Sequence, residues 1–136
     1  MRYVAILGSS FSALKYAHKT LDKTPFTQVT VYTEDAEIGF PEVPFTQELV
    51  LNEVLDSIPD NWYGVIPKGI DWNTPSSNAT SWLCKSMAIR LASRGVQFLL
   101  HTIILNIDED CREISFRGGG AVRSGIEPYD ELHDFR

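Results

Sequence analysis

The sequence predicts a three-layer α/β domain with a mainly parallel sheet and a small antiparallel β-hairpin addition. Residues 3–7 form a continuous apolar run that enters a glycine turn and then a helical stretch, as a buried parallel strand does in a βαβ unit. A helix-like stretch at residues 80–94 leads directly to an apolar run at 96–100, which repeats the helix-to-strand order of a parallel sheet. Two short strand-like runs, residues 102–107 and 112–116, predict the antiparallel hairpin.

The first βαβ unit occupies residues 1–34. Helical spacing over residues 14–21 follows the glycine turn, and a second strand at residues 28–33 ends beside Glu34. This order is that of the first half of a Rossmann-like, dinucleotide-binding domain, in which a diphosphate lies on the N-terminus of the helix. The predicted cofactor-binding residues are Gly8, Ser9, Ser10, Phe11, Ser12, Ala13, Thr33 and Glu34.

The glycine turn departs from the G-x-G-x-x-G/A pattern at one position. Gly8 stands where the chain turns sharply off the strand, and Ala13 stands where the helix must pack closely on the sheet. Ser10 replaces the second glycine, which normally lets the backbone approach the pyrophosphate. Its hydroxyl either binds a phosphate or caps the helix, or its Cβ crowds the ligand out.

The middle and end of the chain are less regular. Apolar residues recur at mostly helical spacing over residues 45–58. A loop rich in Trp, Gly and Pro follows, in which Trp62 and Trp72 are expected to cover one end of the sheet or to face a partner. Residues 126–135 are expected to return as a further strand or a short helix.

The chain is predicted to be a single dinucleotide-binding-like domain over residues 1–136. Its predicted segments are the βαβ unit 1–34, the Trp-rich loop 59–79, the helix–strand passage 80–100 and the hairpin 102–117.

Composition excludes several classes of partner. The formal net charge is −6, and without a basic stripe we expect no binding to nucleic acid. No apolar run approaches the length of a membrane span, so no membrane association is expected. Two cysteines, Cys84 and Cys111, suit a reducing compartment, and a cytoplasmic location is predicted. The three histidines show no metal-binding spacing, and His18 is expected to be a surface or packing residue.

The later part of the chain resembles a known family of flavoproteins. Residues 91–98 resemble the helix-to-strand passage, ending in an Arg-Gly-Val motif, of the FAD-binding lobe of two-dinucleotide-domain flavoproteins. That group includes flavin-dependent monooxygenases, amine oxidases, lycopene cyclases and tryptophan halogenases. Residues 103–116 are similar to the start of its β-meander, and residues 37–44 are similar to a stretch beside the flavin in the halogenases.

The resemblance implies FAD as the cofactor, with its diphosphate on the turn and its adenosine ribose at Thr33 or Glu34. Hydride chemistry then belongs to the cofactor rather than to side chains, and no catalytic residue is identified. The family's ribose-binding acid aligns with Thr33, whereas Glu34 lies one place later, and a one-residue shift turns a strand side chain to the other face. The family continues beyond the position of Arg136, so we expect a degenerate or truncated lobe without its substrate domain.

Two other functions compete with an FAD-binding domain. One is a non-catalytic Rossmann-like module that binds a protein through the loop containing Trp62 and Trp72. The other is an NAD-binding reductase domain. Thr33, Glu34 and Asp35 provide no basic residue for a 2′-phosphate, so NADP is disfavoured.

Overall fold

A computed structural model describes residues 1–39 and 48–136 of the chain. In chain order its helices and strands are β1 (Arg2–Leu7), α1 (Phe11–Lys23), β2 (Thr27–Tyr32), α2 (Leu51–Val54), α3 (Ser77–Ser93), β3 (Gln97–Leu99), β4 (Thr102–Asp108), β5 (Glu113–Gly118), β6 (Gly125–Pro128) and β7 (Glu131–Asp134). Two short 3₁₀ turns, Leu55–Ser57 and Asp60–Trp62, lie between α2 and α3.

The strands form two separate sheets. The main sheet has the order β3-β2-β1-β7, and each adjacent pair of strands is parallel. The second sheet has the order β4-β5-β6, and its strands are antiparallel. The predicted fold class, a Rossmann-like α/β domain with a mainly parallel sheet and an antiparallel addition, is confirmed.

The main sheet is covered on both faces because its strands alternate apolar side chains between them. Val4 and Ile6 of β1 and Val29 and Val31 of β2 face α1 and α3, in a core that includes the fully buried Leu14, Leu83, Met87 and Leu91. Ala5, Leu7, Tyr32 and Leu99 face the opposite way, where Ile114 and Phe116 of β5 pack on them. The three layers are therefore helices, parallel sheet and antiparallel sheet.

Residues 126–135 form two strands rather than the single element predicted. The chain passes from one sheet to the other at Tyr129 and Asp130. The Tyr129 N–H donates to the Arg112 carbonyl at 3.0 Å, and the Asp130 N–H donates to the Tyr3 carbonyl at 2.8 Å. β7 then runs parallel beside β1. Four-residue strands of this kind carry too little periodicity to be separated in a sequence.

The helix predicted over residues 45–58 is shorter than expected. Residues 45–47 lie outside the described residues, and in the remainder only Leu51–Val54 is α-helical. Pro59 disfavours helical geometry at the residue before it, and Ile58 is accordingly extended, with φ −125° and ψ 149°. In the described part of the chain, no helix is both long and apolar enough to cross a bilayer.

Candidate functional site

Gly8 forms the turn between β1 and α1, at the carboxyl edge of the main sheet. Its φ of +107° is a conformation that side chains with a Cβ rarely adopt. Its N–H donates to the Tyr32 carbonyl at 2.8 Å, which ties the turn to the end of β2. A Cβ at this position would lie 3.3 Å from the carbonyl carbon and oxygen of Phe135. Glycine is thus needed at position 8 both for backbone geometry and for the close approach of the chain after β7.

The hydroxyl of Ser10 caps α1. The Ser10 Oγ accepts a hydrogen bond from the Ala13 N–H at 3.4 Å, and the Ser10 carbonyl accepts from the Leu14 N–H at 3.0 Å. Of the roles considered for Ser10, helix capping is therefore the one observed in the structure.

The N-terminus of α1 is also favourable for an anion. Ala13 is fully buried against the sheet, whereas Phe11 is half-buried and Ser12 is exposed. The first turn of α1, which lies wholly within the described residues, contains no acidic side chain. The N–H groups of the first turn and the helix dipole therefore present partial positive charge at this end.

Ser9, Thr33 and Asp35 form a hydrogen-bond network beside the glycine turn. The Ser9 hydroxyl donates to the Asp35 carboxylate at 2.7 Å and accepts from the Thr33 hydroxyl at 3.2 Å. The Thr33 Oγ1 in turn accepts from the Asp35 N–H at 3.2 Å. The structure thus brings Gly8, Ser9 and Thr33 together as predicted neighbours, and it adds Asp35, which the sequence analysis did not select.

The geometry after β2 explains why Asp35 rather than Glu34 reaches the turn. The Thr33 N–H donates to the Leu99 carbonyl at 3.1 Å, and the Thr33 carbonyl accepts from the Thr102 N–H at 2.8 Å. The Asp35 carbonyl accepts from the His101 N–H at 2.9 Å. These bonds hold the chain between β3 and β4 after its pairing with β1 has ended. Thr33 is buried with its hydroxyl engaged, whereas the Asp35 side chain is exposed.

Glu34 is exposed, and its charge acts on a different group. Hydrogen bonds from Arg136 lower the pKa of the Asp134 carboxyl, and those bonds also raise the pKa of Arg136. The negative charge of Glu34 adds to the increase in the Arg136 pKa. The Arg136 Nη2 lies 2.9 Å from the Asp134 Oδ2. Among the described residues, this edge therefore carries the carboxylates of Glu34, Asp35 and Asp134, and the Arg136 guanidinium is paired with that of Asp134.

The other residues considered in the sequence lie away from this edge. His18 is fully buried between α1 and α3, so it is a packing residue, and Cys84 is buried in α3. Burial raises the pKa of the Cys84 thiol to about 12. Within residues 1–39 and 48–136, His, Cys, Asp and Glu side chains form no group of three suited to a metal ion.

The Trp-rich loop is partly buried, whereas a surface that binds a partner would be exposed. Trp62 is only 3% exposed, and its indole stacks on the His18 ring with 4.9 Å between ring centroids. Tyr63 packs edge-on against Trp82 of α3, and the Gly64 N–H donates to the Ser86 hydroxyl at 2.6 Å. Of the two alternatives for Trp62, the structure does not support a side chain that faces a partner, because its ring belongs to the helical layer. Val65 and Trp72 remain exposed, by 92% and 38%.

Known proteins resemble this chain in fold but not in sequence. No protein-family model matches the sequence, and neither does any curated protein. A solved geranylgeranyl bacteriochlorophyll reductase-like protein from Thermoplasma acidophilum superposes with a TM-score of 0.65 at 12% identity, covering 98% of this chain and 39% of its own. A flavoprotein/dehydrogenase from Cytophaga hutchinsonii gives a TM-score of 0.62 at 12% identity, with 96% and 38% coverage.

A third solved structure, the water-forming NADH oxidase from Lactobacillus brevis bound to NADH, gives a TM-score of 0.58 at 18% identity. It covers 98% of this chain, whereas the chain spans 24% of the oxidase. In all three comparisons the chain thus corresponds to well under half of the matched protein. At the level of the fold, these matches confirm the predicted resemblance to FAD/NAD(P)-binding, Rossmann-like domains of flavin-dependent and related oxidoreductases.

Proposed function

We propose that the chain binds a dinucleotide, FAD foremost, at the carboxyl edge of its main sheet. The observation that carries the proposal is the combination of the Gly8 turn, the N-terminal turn of α1 without acidic side chains and the Asp35 carboxylate held by Ser9. The glycine turn and the N-terminus of α1 suit a diphosphate, because N–H groups and the helix dipole stabilise negative charge there. The Asp35 carboxylate suits a ribose, because a carboxylate accepts hydrogen bonds from hydroxyls.

The residues present fit such a cofactor. Residues Gly8 to Ala13 would hold the diphosphate, with the backbone of Ser9 and Phe11 nearest the helix end. Asp35 would bind the adenosine ribose, in the role predicted for Thr33 or Glu34. The Thr33 hydroxyl is already engaged with Ser9, and the charge of Glu34 acts on Arg136. Bound FAD would supply redox chemistry, and these residues would hold and orient it.

One observation favours FAD over the nicotinamide dinucleotides, and a second disfavours NADP. The second face of the main sheet is covered by an antiparallel sheet rather than by helices, as the resemblance to the FAD-binding lobe predicts. The exposed carboxylates of Glu34 and Asp35 also oppose the extra phosphate of NADP. NAD remains the alternative ligand, since it lacks that phosphate.

Titration of the purified protein with FAD, NAD⁺, NADP⁺ and ADP tests the proposal. We expect FAD to raise the melting temperature and to bind in calorimetry, with ADP binding more weakly because it lacks the flavin half. Replacement of Gly8 by Val is expected to abolish binding, since its side chain would meet the Phe135 backbone. Gly69→Val is the control, because Gly69 also has a positive φ but has open space around it. Absence of a thermal shift with every dinucleotide at millimolar concentration would contradict the proposal.

The second candidate is a non-catalytic module that binds another protein through the Trp-rich loop. The exposed Val65 and Trp72 support it, and an apolar contact surface would use such side chains. Trp62 does not support it, because the indole is buried. The test is a pull-down with the double variant Val65→Ser/Trp72→Ser. Loss of a partner in this variant, together with no FAD binding by either the parent or the variant, would favour the module over the cofactor domain.

A further inference from the structure

A buried cluster outside the candidate site joins α1, α3 and the Asp60–Trp62 turn. His18 is fully buried, and its ring lies nearly parallel to the Trp62 indole, with an interplanar angle of 9°. The His18 Nε2 lies 3.1 Å from the Met87 carbonyl oxygen, and Nδ1 lies 3.1 Å from Nη1 of Arg94. A carbonyl only accepts and a guanidinium only donates, so these contacts require neutral His18 with its proton on Nε2.

Asp22 completes the cluster. Its carboxylate accepts from the Trp62 Nε1 at 2.9 Å and from the Arg94 Nη2 at 2.7 Å. The charged groups acting on His18 are thus Asp22 from α1 and Arg94 directly after α3. The turn contributes the uncharged indole, and α3 contributes the Met87 carbonyl. Trp62 is thus held by the stacking on His18, by the hydrogen bond to Asp22 and by its place in the apolar core.

We propose that His18 is an acid-sensitive latch, whose protonation releases Trp62 and the Asp60–Trp62 turn from the helical layer while both sheets stay folded. A second proton, on Nδ1, would face the Arg94 N–H across 3.1 Å. Two donors would then point at each other, and the fully buried imidazole would carry a positive charge beside the partly exposed guanidinium of Arg94. Both effects disfavour the closed arrangement.

The direction of the pH effect follows from His18. Burial lowers the pKa of His18 from 6.5 to about 4 in the closed arrangement; the Met87 carbonyl raises it, Arg94 lowers it and Asp22 raises it. Release of the turn uncovers one face of the imidazole, so we expect its pKa to rise toward the ordinary value of 6.5. Between these values the open form binds a proton that the closed form does not. Opening therefore increases by at most about tenfold for each unit of falling pH, at most about 300-fold in total, and it is independent of pH above 6.5.

Trp62 accessibility measures this opening directly. Replacing Trp72 and Trp82 by Phe leaves Trp62 as the sole indole of the three in the sequence. We expect acrylamide quenching of Trp62 to increase as the pH falls below 6.5, while the far-UV circular dichroism is unchanged. In the same background, His18→Gln should abolish the increase, and His133→Gln should preserve it. Quenching that stays constant, or that increases only with loss of the circular dichroism signal, would overturn the latch.

Two charge variants keep the test decisive even where His18→Gln does not fold. Removing the negative charge with Asp22→Asn lowers the closed-state pKa of His18, so the total increase in opening should exceed that of the parent. Removing the positive charge with Arg94→Met raises that pKa, so the increase should be smaller. Equal increases in both variants would mean that groups other than His18 control release.

Discussion

The Ser9 hydroxyl donates a hydrogen bond to the Asp35 carboxylate at 2.7 Å, which joins the glycine turn to the chain just after β2. The bond links residues that are 26 positions apart in the sequence. Because Ser9 also accepts from the buried Thr33 hydroxyl, its orientation is set by two partners. The carboxylate of Asp35 is therefore held at a defined position beside the N-terminus of α1.

Asp35→Asn is expected to weaken FAD binding about tenfold, since a neutral amide replaces a charged acceptor for the ribose hydroxyls. Calorimetric titration gives the dissociation constant. Asp56→Asn is the matched control, because Asp56 is an exposed carboxylate in the Leu55–Ser57 turn. Glu34→Gln should have a smaller effect than Asp35→Asn. A dissociation constant that responds to Glu34 and not to Asp35 would assign the ribose to one of the two residues predicted from the sequence, Thr33 and Glu34.

The layers of the fold were predictable because each depends on local periodicity. The run at residues 3–7, the helix before Gly95 and the strands on either side of Asp110 each carry a clear pattern over several residues. The position of β7 was not predictable, because it results from pairing with β1 across more than a hundred residues. Similarly, helical spacing up to Ile58 overestimated α2, which ends at Val54 and is followed by the 3₁₀ turn Leu55–Ser57.

The candidate site was only partly predictable for a similar reason. Gly8 and Ser10 could be selected because their roles depend on the adjoining strand and helix. Asp35 could not, because its position depends on hydrogen bonds from His101 and to Thr33 that turn the chain after β2. Three consecutive polar residues, Thr33 to Asp35, were the available signal. Choosing among them requires the direction of each side chain, which a sequence does not contain.

Gly39→Ala is expected to destabilise the fold by about 2 kcal/mol. Gly39 has a φ of +73°, and a Cβ there would lie 2.8 Å from the Ser81 carbonyl oxygen in α3. Gly69 is a close control, since its φ is +80° and nothing lies within 4 Å of a Cβ. Gly69→Ala should therefore reveal only the backbone cost, about 1 kcal/mol. Urea unfolding of both variants measures the difference, and equal losses would exclude the steric contact with Ser81.

Trp62→Ala is expected to cost about 3 to 5 kcal/mol of the free energy of unfolding, because a buried indole is removed and a cavity remains. The same change also removes the hydrogen bond to Asp22. Trp72→Ala is the control, since Trp72 is 38% exposed. Thermal and urea unfolding report both values. Should Trp62→Ala not fold, Trp62→Phe tests the same contact with a smaller loss. An equal loss of the free energy of unfolding in Trp72→Ala and Trp62→Ala would contradict the difference in burial between the two indoles.

The two cysteines are expected to differ in reactivity. Burial shields the Cys84 thiol from iodoacetamide. Burial also raises the pKa of this thiol to about 12, so it is protonated at neutral pH. Cys111 is exposed on the β4–β5 turn, where the negative charge of Asp108 raises the pKa of its thiol. Native protein should therefore incorporate one label, at Cys111, and protein in urea should incorporate two.

Replacing Asp108 by Asn should accelerate labelling of Cys111 at fixed pH, because loss of the charge lowers the thiol pKa and increases the thiolate fraction. Glu109→Gln on the same turn is the control, since Glu109 is not among the groups that raise this pKa. Intact-mass spectrometry over a time course gives both rates. Slower labelling in Asp108→Asn would mean that the hydrogen bond from the Cys111 N–H to Asp108 controls access to the thiol more than the charge does.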